Sequence, residues 1–152
     1  MTDSQLEEIW ARTREHFAQR PDVDMAAHAQ AVISWIRRLI ANGEPGDESM
    51  AVAAAILHDV GIPQAIRKYQ QKGSPWHEVE GAVIARDILT EMGLSPATIE
   101  AISGIVGIHH QRPMHPTPEF RLVHDADILV NAEEAGVPLA GVKPQLYASP
   151  PD

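Results

Sequence analysis

Cysteine is absent from this chain. That rules out disulfides and thiolate metal sites, so any bound metal must sit on imidazole and carboxylate. Such donors suit zinc, iron or manganese. Basic residues are also scarce: 12 Lys and Arg stand against 21 Asp and Glu, for a net charge of −9. Their scatter leaves no clustered positive surface to neutralise a nucleic-acid backbone, which excludes a nucleic-acid polymer as partner. No apolar run approaches the ~18 residues that cross a bilayer, and residues 1–10 are polar and acidic, unlike a signal peptide. A soluble, cytoplasmic protein without a membrane partner is expected. Sustained two-residue alternation is missing too, so little or no sheet is expected.

What is present is helical pattern. The 152 residues are 44% hydrophobic, enough for one domain with a real core. Ser4 is expected to cap a first helix through Leu6, Ile9, Trp10 and Phe17, stopped by Pro21. A second spans 23–41, where Met25, Ala29, Val32, Ile33, Ile36 and Ile40 recur at three and four residues. An alanine-rich third runs over 47–59 and closes at Gly61 and Pro63. A short basic helix follows at 64–71. Ser74 and Pro75 open the fifth, Ser95 and Pro96 the sixth, and Thr117 and Pro118 the last, which ends at Gly136. The expectation is an all-α bundle of six or seven helices forming one domain over 1–136, followed by a proline-containing tail, 137–152, that is extended or disordered.

Eight histidines are many for this length, and five share faces with apolar residues. His28 is in register with Met25, Val32 and Ile36, and His58 with Ala51, Ala54 and Ala55. His77 aligns with Gly81, Ile84 and Ile88, and His109 and His110 with Ile102, Ile105 and Val106. Asp59 and Asp127 also lie on apolar faces. A lone histidine in such a place is ordinarily a hydrogen-bonded core residue. Two carboxylates are harder to explain, because an isolated buried charge costs several kcal/mol. A cation among five imidazoles and two acids accounts for all seven together. His58 and Asp59, adjacent in sequence, stand about 100° apart on an ideal helix, so both reach one centre only near a helix end. Gly61 and Pro63 supply that end. His16, His115 and His124 have the character of surface or supporting residues.

The order His28, His58-Asp59, Asp127 resembles the H…HD…D signature of the HD superfamily, and the segment around His58-Asp59-Val60-Gly61 resembles its HDIG subgroup. The likeness spans about residues 20–135. It implies a helical metal-dependent phosphohydrolase in which His28, His58, Asp59 and Asp127 hold a first divalent transition metal (Fe, Mn or Zn). It further implies a second metal on His77, His109 and His110, with Asp59 bridging, and His58 and Asp59 at the catalytic centre. Asp125 competes with Asp127; Asp127 is preferred because the family's aspartate follows alanine, as in Ala126-Asp127. Asp24 resembles an extra acidic ligand of a few three-metal relatives, though helix-start charge balance explains it better. Cyclic-dinucleotide phosphodiesterases of the HD-GYP type carry a lysine where Ile62 stands and a Gly-Tyr-Pro motif where residues 111–114 read Gln-Arg-Pro-Met, so the chain departs from them. Arg67, Lys68 and Arg112 are the candidate phosphate contacts. The implied reaction is hydrolysis of a small phosphorylated metabolite or nucleotide by a metal-activated water. The alternatives are a di-iron oxygenase on the same fold and a non-catalytic metal or nucleotide sensor.

Overall fold

A computed structural model of the chain describes residues 1–150. Seven helices follow in order: α1 Asp3–Phe17, α2 Met25–Ala41, α3 Glu48–Leu57, α4 Ile62–Tyr69, α5 Trp76–Glu91, α6 Pro96–Ile108 and α7 Pro118–Ala135. A single helical turn, α8 Leu139–Val142, and a 3-10 turn at Lys143–Gln145 come after them. No strand occurs among the described residues, as the missing alternation predicts.

Side-chain caps set where most helices begin. Asp24, Asp47, Ser95 and Thr117 each accept a hydrogen bond from the amide three residues on, in Ala27, Met50, Thr98 and Phe120. Each such cap is worth about 1 kcal/mol. At α1 the cap is Thr2 rather than the expected Ser4. Thr2 accepts from the Gln5 amide while the Gln5 side chain accepts from the Thr2 amide, and this reciprocal pairing fixes the start two residues earlier. At α5 the expected Ser74 cap and Pro75 first turn are replaced by a start at Trp76 without a side-chain cap. The Ser74 hydroxyl is instead spent on the buried Glu78 carboxylate.

Helix α3 is the axis of the bundle. Every residue from Ala51 to Leu57 is buried, and α1, α2, α6 and α7 all pack against it. Four alanines let these neighbours come close, while Ile56 and Leu57, both fully enclosed, stabilise the fold by about 1.5–3 kcal/mol each. The stretch Glu48–Tyr69 is long and apolar enough to cross a membrane, its most apolar 18 residues having a mean hydropathy of 1.3. It is a core segment: 67% of its most apolar 18 residues are buried, and it is broken between α3 and α4.

That break is tight. Gly61 has an ordinary backbone conformation, so its identity is a matter of space. A Cβ there would lie 2.1 Å from the His77 carbonyl oxygen and 2.4 Å from the Gly81 amide nitrogen. The turn after α3 therefore presses backbone to backbone on α5. The segment after Gly136, expected to be extended or disordered, folds back through residue 150. Val142 is buried, and the Tyr147 and Ala148 amides donate to Asp125 at 3.0 and 2.8 Å. Residues 151 and 152 of the expected tail lie outside the described residues.

Gly61→Ala should destabilise the protein by about 3 kcal/mol or more, because only backbone can yield. Gly104→Ala, on an open face of α6, should stabilise it by up to about 1 kcal/mol. Urea unfolding of both variants checks this; equal midpoints would contradict the contact.

Candidate metal centre

Helix α3 stops at Leu57, and His58 and Asp59 occupy the turn that follows. Leaving helical geometry brings these neighbours onto one centre, with His58 Nε2 3.3 Å from Asp59 Oδ2. The His58 Nδ1–H donates to the Ala55 carbonyl at 2.6 Å, a carbonyl that the helix end would otherwise leave unpaired. A carbonyl only accepts, so Nδ1 carries a proton and Nε2 is the ring nitrogen left to face the centre. Nε2 is wholly buried without a hydrogen-bond partner. His109 repeats the device at the end of α6, donating from Nδ1 to the Val106 carbonyl at 2.7 Å. Its Nε2 lies 3.1 Å from Nε2 of His77 on α5.

Asp59 stands between two groups of imidazoles. Its Oδ2 faces His28 Nε2 at 3.6 Å and His58 Nε2, while its Oδ1 is 3.7 Å from Nε2 of both His77 and His109. The donor atoms of His28, His58 and Asp59 all lie within 4.8 Å of one another, as do those of Asp59, His77, His109 and His110. Asp127 on α7 closes the first group, 3.0 Å from His28 Nε2 and 3.3 Å from His58 Nε2, and its other oxygen is 3.9 Å from His110 Nδ1. Asp125, two residues away, turns from this centre to the tail amides and to His124 Nδ1 at 2.9 Å.

The electrostatics divide the two groups. Burial works against a charged His58, but the Asp59 and Asp127 carboxylates outweigh it and hold its pKa well above the usual histidine value. Burial likewise opposes charge on His28, and its hydrogen bond to Asp127 with the nearby Asp59 raises it. Burial would raise both acids, yet the facing His58 holds Asp59 and Asp127 well below the carboxylate range. His77 and His110 are pushed down, chiefly by burial, and stay neutral at pH 7.

Glu134 was not anticipated. It accepts from His28 Nδ1 at 2.8 Å, an orientation typical of carboxylates that steady a ligating imidazole. Its place two turns after Asp127 on the same face of α7 is the signal that would have found it. Asp24 caps α2 and also lines the larger of two cavities reaching the centre. That cavity, about 590 Å³, exposes His28, Asp59, His77, His110 and Asp127. The other, about 280 Å³, reaches His109, His110 and Asp127 and is lined by Arg112. Arg67 and Lys68 are not brought to the site. Arg67 bonds Gln64, Lys68 pairs with Glu80 at 2.8 Å, and neither lines either cavity. Lys72 lines the larger one instead. Of the remaining histidines, His115 is exposed, His16 half-buried and His124 buried against Phe120 and Tyr147.

An all-helical bundle that gathers five imidazoles, among them His58 with an unpartnered buried Nε2, around two ionised carboxylates has a donor set that could hold divalent metal. The sequence profile of the HD domain matches residues 25–132, and the chain belongs to the HD domain family. That places it in a superfamily of metal-dependent phosphohydrolases. No curated protein and no solved structure matches the chain.

Because Asp59 serves both groups, Asp59→Ala should remove all bound metal, whereas His77→Ala should spare the first group. Metal analysis after equilibration with Mn2+ decides between separable and inseparable sites. Coordination also requires neutral imidazole. His58 is held well above the usual histidine value and so carries a proton at pH 7 in the metal-free protein, and His28 is raised as well. Metal uptake at pH 7 should therefore release protons, and apparent affinity should rise with pH. Titration calorimetry in two buffers of different ionisation enthalpy measures the release; none would contradict the assignment.

Proposed function

We propose that this HD domain is a binuclear phosphoric ester hydrolase acting on a small phosphorylated metabolite or nucleotide of the cytoplasm. The observation that carries the reading is the division of Asp59: one oxygen faces His28 and His58, the other His77 and His109. A carboxylate so placed suits two cations side by side, with His28, His58 and Asp127 completing one set of donors and His77, His109 and His110 the other. Zinc, iron or manganese fits these donors. When bound, such a pair acidifies a water molecule and offsets the charge that builds on phosphoryl oxygens.

The protein's own residues prepare that chemistry. The carbonyls of Ala55 and Val106 keep the His58 and His109 Nε2 atoms aimed inward. Glu134 keeps the His28 ring in place. Both acids stay ionised across the physiological range because His58 faces them. The larger cavity has the size of a small-ligand site, and a surface of net charge −9 repels a polyanionic polymer.

The test is turnover under argon by Mn2+-loaded protein against a panel of nucleotides and sugar phosphates. Phosphate release without oxygen is expected. Turnover that appears only with iron and O2, with oxygen consumed, would replace the hydrolase by an oxygenase.

A further inference from the structure

The smaller cavity differs from the larger in charge. Among the described residues, the larger is lined by Asp24, Asp59, Asp127 and Glu134 with Lys72 as its one Lys or Arg. The smaller has Asp127 as its only carboxylate and Arg112 as its only Lys or Arg. An anion approaching the metal centre therefore meets less repulsion on the Arg112 side.

Arg112 is held there by the segment after Gly136. Its Nη1 donates to the Gln145 carbonyl at 2.7 Å, and its guanidinium carbon lies 4.5 Å from the centre of the Tyr147 ring. Arg121 approaches the same ring at 5.3 Å, so Tyr147 gathers two guanidinium groups. Tyr147 is itself pinned, since its amide and that of Ala148 donate to the two oxygens of Asp125. A buried carboxylate two residues from Asp127 thus anchors the strap that aims a cation at the cavity beyond it. Several guanidinium N–H groups remain for a ligand once Gln145 has taken one.

We infer that residues 143–148 form a positioning strap, and that through Tyr147 and Asp125 it holds Arg112 to bind the phosphate group of the substrate at the smaller opening. This rests on the phosphohydrolase reading and names the residue that recognises the substrate anion and the element that places it.

The experiment titrates inorganic phosphate into the Mn2+-loaded full chain by calorimetry, with metal content and thermal midpoint recorded for each variant. Arg112→Ala should weaken phosphate about tenfold or more, and Arg112→Lys, lacking the planar fork, should recover only part of the loss. Tyr147→Ala, which keeps Arg112, should weaken phosphate about threefold to tenfold with unchanged metal content, while Tyr147→Phe should match the wild type. The Arg112 Nε–H resonance should shift on phosphate addition and in Tyr147→Ala. Unchanged phosphate affinity in Arg112→Ala overturns the proposal. So does unchanged affinity in Tyr147→Ala when that resonance has moved. Wild-type protein that binds no phosphate overturns it even if hydrolysis is observed. Arg112-dependent phosphate binding in a protein that hydrolyses nothing supports it and counts against the hydrolase reading alone.

Discussion

Taking a carboxylate out of water costs several kcal/mol unless opposite charge and hydrogen bonds replace the solvent. Asp59, with its side chain 15% exposed, is placed under that constraint at the crossing of the central helices. Four imidazole nitrogens within 3.7 Å are the answer to it. They come from α2, the turn after α3, α5 and the end of α6. The acid therefore ties together elements far apart in the chain, and their packing is constrained to keep it supplied with partners.

Two helix ends do much of this work. A helix terminus leaves carbonyls without partners, and an imidazole at the last position can satisfy one while turning its other nitrogen outward. His58 and His109 use this identical solution. Stability and ligand orientation are therefore the same hydrogen bond seen from its two sides. The turn that follows His58 depends on Gly61, because any side chain there would collide with the backbone that carries His77. One contact thus sets the distance between both groups of histidines.

The paired acids on α7 show how neighbours acquire different roles. Asp127 sits among imidazoles, whereas Asp125 takes backbone amides from the returning chain. Each is buried and each is satisfied, by charge in one case and by amide dipoles in the other. Removing the returning segment would take two amide donors from Asp125, so this segment belongs to the domain energetically.

The helices were legible from local chemistry. Caps such as Ser95 and Thr117, breaks such as Gly61 and Pro63, and three-to-four spacing act within a few residues, where sequence order and spatial order coincide. The composition of the centre was legible as well, since seven polar residues on apolar faces call for a common partner. What sequence periodicity left open was settled by contacts between distant segments. Residues 122–127 are buried on every side of α7, so helical phase does not separate Asp125 from Asp127, even though they point about 200° apart. Glu134 shares the face of Asp127, but that it meets a histidine 106 residues away depends on α2 lying beside α7. Lys68 carries the right charge for a phosphate contact and is neutralised by Glu80 across a turn. The tail has no periodicity because what orders it is a carboxylate on another helix. Local hydrogen bonding chose the elements; the direction of each charged side chain depended on which helix came to lie beside it.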